Sequence, residues 1–380
     1  MNDTTAVDGR TIRGAVLETI GAASPFATST PLRIQELTLA APGPGEIRVR
    51  VEAAGVCHSD LSVVDGNRRR PVPMLLGHEA AGIVEELGAG VHDLAPGQRV
   101  VMVFLPRCGE CAECATDGRL PCSAGSATNN TGELLGGGRR LSRKTAEGTE
   151  PVHHHLGVSG FATAAVVDRR SVVPVDADVP AGIAAVLGCA VLTGGGAVLN
   201  AARPGPTDDI FVVGLGGVGM AALMVARALT SGRVIGIDQQ TEKLELAREL
   251  GADEALTPEQ AIGRGLSAPF VIEAAGHPVA FETAVDLTGP GGATVTVGLP
   301  APDALSRISP LGLTAQARSI IGCYLGSAVP SRDIPRFVAL WRAGKLPLER
   351  LITRRIGLEE INEAMDELAA GRAVRQVIEF

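Results

Sequence analysis

Apolar and polar positions alternate along the first half of the chain and cycle more slowly along the second. In GEIRVRVEAAGV, Ile47, Val49 and Val51 alternate with charged neighbours, the period of a strand with one buried face. AAGIVEELGAG and GQRVVMVF follow the same rhythm, with Gly and Pro breaks between them. The first ~190 residues therefore read as short strands with many turns, a small β-barrel region. Residues 123–150 are polar and Gly-rich and read as a long surface loop. From about residue 208 the rhythm changes. DDIFVVG and RVIGID read as buried strands, GVGMAALMVARALTSG and TEKLELARELGA as helices, the second ending at Gly251. FVIEAAG and ATVTVGLP read as further strands, and the C-terminal EEINEAMDELAAGRAVRQVIEF as helix then strand. Alternating strands and helices predict a doubly wound parallel sheet.

Composition narrows the class. The 380 residues, 45% hydrophobic and 20% charged, suffice for two globular domains. With only 3% aromatics, the cores must be built from Ala, Val, Leu and Ile. The net charge of −8 is spread, and the longest basic run is Arg68–Arg70, so no nucleic-acid-binding face is expected. The N-terminal MNDTTAVDGR is polar, with no apolar export segment. No membrane-spanning run of about 18 apolar residues is expected either. A cytoplasmic chain is the expectation, with its thiols reduced.

That matters for RCGECAECATDGRLPC, where Cys108, Cys111, Cys114 and Cys122 crowd into fifteen residues. Reduced thiols disfavour disulfides. The last gap differs from the ferredoxin spacing for an iron–sulfur cluster, which leaves that cluster open but less suited. Four thiolates suit a closed tetrahedral zinc shell. A closed shell has no position for substrate, so the densest cluster is not expected to be the active site.

Between the first strand and helix of the second half stands GLGGVG (Gly214, Leu215, Gly216, Gly217, Val218, Gly219), with Gly214, Gly216 and Gly219 in the G-x-G-x-x-G register. These glycines allow a tight turn, approach of a pyrophosphate and close helix packing, with the helix N-terminus facing the phosphates. Asp238 closes the next strand, 24 residues past Gly214. A carboxylate there accepts ribose hydroxyls and repels a 2′-phosphate, favouring NAD over NADP. Its plainer reading is a strand-end Asp capping the following helix. Lys243 falls near the ribose on the same logic, or is a solvated helix lysine. Three further residues, Cys57, His78 and Cys189, are each weak alone. Together they are the residue types of a zinc site with an open fourth position, although separations of 21 and 111 residues carry no signal by themselves.

From Thr11 to Phe380 the chain resembles the zinc-dependent alcohol dehydrogenases of the medium-chain dehydrogenase/reductase superfamily. GVCHSD, LGHEAAG, the four-cysteine lobe, GLGGVG and VRQVIEF stand in the family's order. The length resembles the longer, typically dimeric branch, so a homodimer is expected, with a tetramer as the alternative. VHHHLG lies within the matching region and so reads as structural. The resemblance implies an α/β plus β fold. A GroES-like catalytic domain (1–190 and 325–380) would carry both zinc sites, and a Rossmann domain (191–324) would bind NAD. It implies catalytic zinc on Cys57, His78 and Cys189, and structural zinc on Cys108, Cys111, Cys114 and Cys122. Glu79 would lie behind the metal, Asp60 would orient His78, and Ser59 would bind the substrate oxygen and start a proton relay. His58 and Arg375 would contact the pyrophosphate; Phe104 and Leu299 would line the substrate pocket. Ser62 stands where well-known members carry the histidine that ends the relay. The implied activity is reversible oxidation of a primary or secondary alcohol by hydride transfer to NAD. Two alternatives stand beside it: a glutathione- or mycothiol-dependent formaldehyde dehydrogenase, with Arg68–Arg70 at the pocket mouth, and a non-catalytic zinc- and NAD-binding protein.

Overall fold

The structure, a computed structural model, describes residues 9–380; the first eight residues of the polar N-terminal stretch lie outside the described residues. Three sheets organise the chain. A closed barrel joins Gly9–Leu17, Leu32–Ala40, Leu141–Thr145, Gly148–His154 and Met74–Leu75. A second sheet centres on the long strand Glu46–Val56, which pairs antiparallel with Glu79–Leu87 and Ala164–Asp168. The C-terminal strand Gln376–Glu379 completes this sheet, with Gln376 opposite Val56. The last residues of the chain are thereby carried back beside Cys57.

The third sheet is parallel. Its order is Glu254–Leu256, Val234–Ile237, Ile210–Val213, Ala268–Glu273, Thr288–Thr296, Ser319–Gly322. The chain reverses direction of travel between Ile210–Val213 and Ala268–Glu273, and such a switch point opens a ligand crevice at the strand ends. The central strands are buried on both faces; Ile210, Phe211 and Val212 are fully covered. That is why they read as apolar runs without alternation.

Two expectations are corrected. Residues 123–150 are not one loop. Ser123–Thr131 is a helix whose N-cap is Cys122. Leu141–Thr145 and Gly148–His154 form a hairpin that helps close the barrel. Few apolar side chains mark these elements, chiefly the buried Leu141 and Val152. Their outer face is held by ions, with Arg143 bridging Glu18 and Glu150, so hydrophobic periodicity could not reveal them. The expectation of no long apolar segment also fails. Ala181–Ala202 is one helix of 22 residues, with mean hydropathy 2.0 over its most apolar 18-residue stretch. That stretch is 94% buried inside the fold, packed between the sheets. Its many Ala and Gly residues allow that closeness: a Cβ on Gly194 would come 2.0 Å from the Val218 carbonyl oxygen.

Candidate active site

Three elements converge on one point. Cys57 follows the strand Glu46–Val56 and caps the short helix His58–Val64. His78 precedes the partner strand Glu79–Leu87, in which Glu79 lies opposite Gly55. Cys189 sits on a π-helical turn, Leu187–Val191, within the long buried helix. Such turns often mark functional positions. The ligand atoms of Cys57, His78 and Cys189 lie within 4.8 Å of one another, and all three residues are buried. His78 Nε2 is buried without a hydrogen-bond partner. An orphaned imidazole nitrogen beside two thiols is the chemistry of a zinc donor set with room for a further ligand.

Asp60 holds the set in place. Its Oδ2 accepts the Cys57 N–H at 3.2 Å and its Oδ1 the Gly77 N–H at 3.1 Å. His78 Nδ1 lies 3.1 Å from the same Oδ1, which directs Nε2 to the two sulfurs. Burial opposes charge on His78, but the Asp60 carboxylate and the Cys57 sulfur outweigh it and raise its pKa well above the usual range. Proximity to Cys189 lowers the Cys57 thiol pKa despite burial, with help from Arg375 and His78. Behind them lies Glu79, fully buried. Its Oε2 accepts the Ala190 N–H at 3.3 Å and lies 3.5 Å from Arg375, while Oε1 is unpartnered. Burial pushes its pKa up to about 7, against the pull of Arg375. Gly55 makes room for it, since a Cβ there would come 2.0 Å from Oε1.

Two of the three donors, Cys57 and Cys189, open onto a cavity of about 140 Å³ lined by His58, Ser59, Ser62, Phe104, Thr193, Leu299 and Tyr324, among others. Phe104 packs edge-on against His78 at 5.5 Å between ring centres. Leu299 lines the rim and is 44% exposed. The Ser62 hydroxyl donates to the His58 carbonyl at 2.9 Å, a helical back-bond that leaves its oxygen able to accept. Of the three arginines, Arg68 lines this cavity. Arg69 is exposed, and Arg70 turns away to Asn129 and Asn130.

A second cleft adjoins, lined by Cys57, His58, Gly214, Gly216, Gly217, Val218, Asp238, Lys243 and Arg375. It continues into a larger hollow of about 760 Å³ past Asp238 and Gln239. Gly214 has φ +90, and a Cβ on Gly219 would sit 1.8 Å from the Gly214 oxygen, so neither position admits a side chain. Gly216 faces open space. Arg375 lies over the start of the following helix, close enough that a Cβ on Gly217 would meet its guanidinium at 2.5 Å. The Asp238 carboxylate accepts N–H bonds from Leu215 at 2.7 Å and Gln240 at 3.0 Å. It therefore ties the Gly-rich turn to the next helix while facing the cleft.

The cysteine lobe is separate. Cys108 and Cys114 sulfurs stand 3.9 Å apart, and Cys111 and Cys122 sulfurs 3.8 Å apart. A tetrahedron with Zn–S bonds of about 2.3 Å has edges of about 3.8 Å. Backbone N–H groups of Cys111, Cys108 and Gly125 point at sulfurs, each at 3.4 Å. The four side chains thus fit one closed zinc shell.

Sequence reasoning passed over four residues. Thr193 lines the cavity; its signal was a lone hydroxyl in an apolar helix, four residues after Cys189. Glu273 ends its strand buried, accepting N–H bonds from Ala275 and Gly276 at 2.8 and 2.7 Å and the Thr296 hydroxyl at 2.6 Å. It shapes the loop between cavity and cleft. His155 is buried with Nδ1 3.1 Å from Asp60 and neither ring nitrogen hydrogen-bonded. With Asp60 and His78 it forms another cluster of possible ligands, sharing His78 with the open set. Tyr324 packs edge-on against Phe104 at 5.9 Å. No local pattern distinguished Glu273 or Tyr324, and His155 lies in the VHHHLG segment, which read as structural.

The chain matches two family models, the alcohol dehydrogenase GroES-like domain over residues 43–177 and the zinc-binding dehydrogenase domain over 217–342. Alcohol dehydrogenase 1 of Pisum sativum is 32% identical over 370 residues, covering 94% of this chain and 96% of its own length. A zinc-binding-domain alcohol dehydrogenase protein of Burkholderia ambifaria superposes with a TM-score of 0.89 at 32% identity, covering 98% of this chain and 100% of that one. Benzyl alcohol dehydrogenase of Acinetobacter calcoaceticus superposes with 0.88 at 31%, covering 98% and 99%. The chain belongs to the zinc-dependent alcohol dehydrogenases of the medium-chain dehydrogenase/reductase superfamily.

Proposed function

We propose that this protein uses zinc and NAD to oxidise a primary or secondary alcohol reversibly. The alcohol loses a hydride from carbon and a proton from oxygen; the products are an aldehyde or ketone, NADH and a proton. One observation carries the reading: Cys57 and Cys189 of the buried Cys57–His78–Cys189 set share a cavity with Ser59, beside the Gly-rich cleft. When bound, zinc supplies Lewis acidity that makes a hydroxyl acidic near neutral pH, and NAD supplies the hydride acceptor.

The chain does the rest. Cys57, His78 and Cys189 hold the metal, and Asp60 orients His78. Ser59 accepts the substrate proton while passing its own to the nicotinamide ribose, from which water carries it out; the Ser62 hydroxyl is committed to the His58 carbonyl. Gly214, Gly216 and Gly219 give the pyrophosphate its backbone cradle, with Gly217 and Val218 opening the helix. His58 and Arg375 contact it. Asp238 accepts ribose hydroxyls and disfavours a 2′-phosphate, with Lys243 beside it. Glu79 would lie behind the metal, as a supporting carboxylate or a transient ligand, with its Oε1 free. Phe104 and Leu299 give the substrate an apolar wall, which suits benzylic alcohols of the kind named for the Acinetobacter relative. Cys108, Cys111, Cys114 and Cys122 hold a second, structural zinc.

A homodimer is the assembly we infer. Ser319–Gly322 forms an edge of the parallel sheet with Ile320 partly exposed, and Leu305 and Leu311 stand 88% and 77% exposed, an edge that pairing would cover. Light scattering should return twice the 39.0 kDa chain mass.

NADH absorbance tests the reading on zinc-replete protein, with NAD and NADP in parallel against primary, secondary and benzylic alcohols. Formaldehyde with and without glutathione completes the set. Turnover of free alcohols with NAD is the expected result. Turnover of formaldehyde only with the thiol would install the second reading, which the position of Arg68 in the cavity favours.

A further inference from the structure

Arg68 stands apart from the other cations near the site. It follows the helix that begins at His58, and its N–H donates to the Ser62 carbonyl at 2.6 Å, which fixes its backbone at the cavity. Its side chain is half-buried and lines the same cavity as Cys57, Ser59, Phe104 and Cys189. That side chain has no hydrogen-bond or ion-pair partner among the described residues, whereas Arg70 donates to the Asn129 carbonyl and to Asn130. No Asp or Glu lines the cavity. Burial raises the pKa of the Tyr324 phenol, and the charges of Arg68 and Arg70 both pull against it.

The charge balance of the cavity follows. Two thiolates offset a divalent zinc, and no carboxylate offsets Arg68. A half-buried guanidinium without a counter-ion has lost hydration that nothing in the protein restores. An anionic ligand restores it, and the planar fork of arginine matches a carboxylate in particular.

We propose that Arg68 is a specificity determinant that receives a carboxylate carried by the substrate away from its reacting hydroxyl. The substrates would be carboxylated alcohols of modest length, with the hydroxyl at the open zinc set and the carboxylate at Arg68. The carboxylate can belong to the alcohol itself or to a thiol carrier such as glutathione. The proposal rests on the alcohol dehydrogenase reading above.

The experiment compares kcat/KM for 4-(hydroxymethyl)benzoate, its methyl ester and benzyl alcohol, and for formaldehyde with glutathione. Wild type, Arg68→Gln and Arg68→Lys holoenzymes are measured side by side. Wild type should favour a carboxylated substrate, and Arg68→Gln should lose at least about tenfold on it, the size of one charge-assisted hydrogen bond. The same variant should stay within about twofold on benzyl alcohol, and Arg68→Lys should recover part of the loss. Calorimetry with 4-methylbenzoate, which cannot be oxidised, should show at least a tenfold weaker Kd in Arg68→Gln. A loss confined to the benzoate identifies the substrate's own carboxylate; a loss confined to the glutathione arm identifies the thiol carrier. Equal losses on charged and neutral alcohols, or a wild type indifferent to the carboxylate, overturn the proposal and leave the alcohol reading standing. Silence of wild type on every substrate overturns both.

Discussion

Two of the clusters that could hold a metal, the cysteine lobe and the open set, differ in almost every physical respect. The cysteine lobe takes all four donors from within fifteen residues, three of them partly exposed and Cys122 buried, held by N–H···S contacts. The open set takes three donors from positions 57, 78 and 189, on two strands' ends and a helix, all buried. One cluster satisfies itself; its sulfurs already stand at tetrahedral separation. The other leaves His78 Nε2 and Glu79 Oε1 without partners in the core, a cost tolerated where function needs it. On the proposed reading, the site that would serve stability is written locally, and the one that would serve chemistry takes its walls, its cofactor cleft and its supporting carboxylate from the whole fold.

The largest expected effect sharpens that contrast. Cys57→Ser should lower kcat/KM by at least about a thousandfold, roughly 4 kcal/mol of transition-state stabilisation. It should leave one zinc per chain by elemental analysis, with the urea midpoint little changed. Retained activity would deny the open set its role. The reciprocal change, Cys111→Ser with Cys114→Ser, should also remove one zinc. It should cost at least about 3 kcal/mol of stability, as loss of a structural metal does, and leave the folded fraction within about tenfold of normal kcat/KM. Were activity to vanish while stability held, the two clusters would have exchanged roles.

Acid should strike the scaffold of the open set next. His154 precedes His155 on the hairpin strand and is fully buried, with Nε2 accepting the Arg140 N–H at 3.0 Å. Burial, with the nearby Arg140 and Arg139 charges, drops its pKa to about 3. Below about pH 6.5 the unfolded chain takes a proton that the folded chain refuses, so stability falls with pH until about pH 3. At pH 4.5 the loss from this residue should reach roughly 3 kcal/mol. Urea unfolding at pH 7.5 and 4.5 checks it; His154→Gln should flatten the dependence, and an unchanged slope would discard the argument. The smallest effect concerns Asp60. Asp60→Asn should weaken zinc at the open set by about ten- to a hundredfold, as loss of a ligand's supporting carboxylate does, while the lobe keeps its metal under the same chelator. Equal release from both clusters would break the comparison at its finest point.

The same division runs through what could be read without a structure. Local chemistry was legible. The C-x2-C-x2-C-x7-C spacing, the Gly214–Gly219 turn with Asp238 after it, and the alternating strands of the parallel sheet all depend on residues near each other in the chain. Cys57 in GVCHSD, His78 in LGHEAAG and the distant Cys189 were brought together as the open set only through family resemblance, because side-chain chemistry carries no information on separations of 21 and 111 residues. Tertiary structure alone decided the rest. It bent a polar 28-residue stretch into a helix and a barrel hairpin through ion pairs and a few buried side chains. It hid a helix as apolar as a membrane span inside the core, since periodicity reports that a segment is buried but not by what. It set Gly55 where Glu79 needs space, ran the C-terminal strand back to bring Arg375 beside Cys57, and turned Arg68 into the cavity while Arg70 turned away. Each of these is a contact between distant segments, decided by how sheets pack and twist, and a linear pattern holds no record of it.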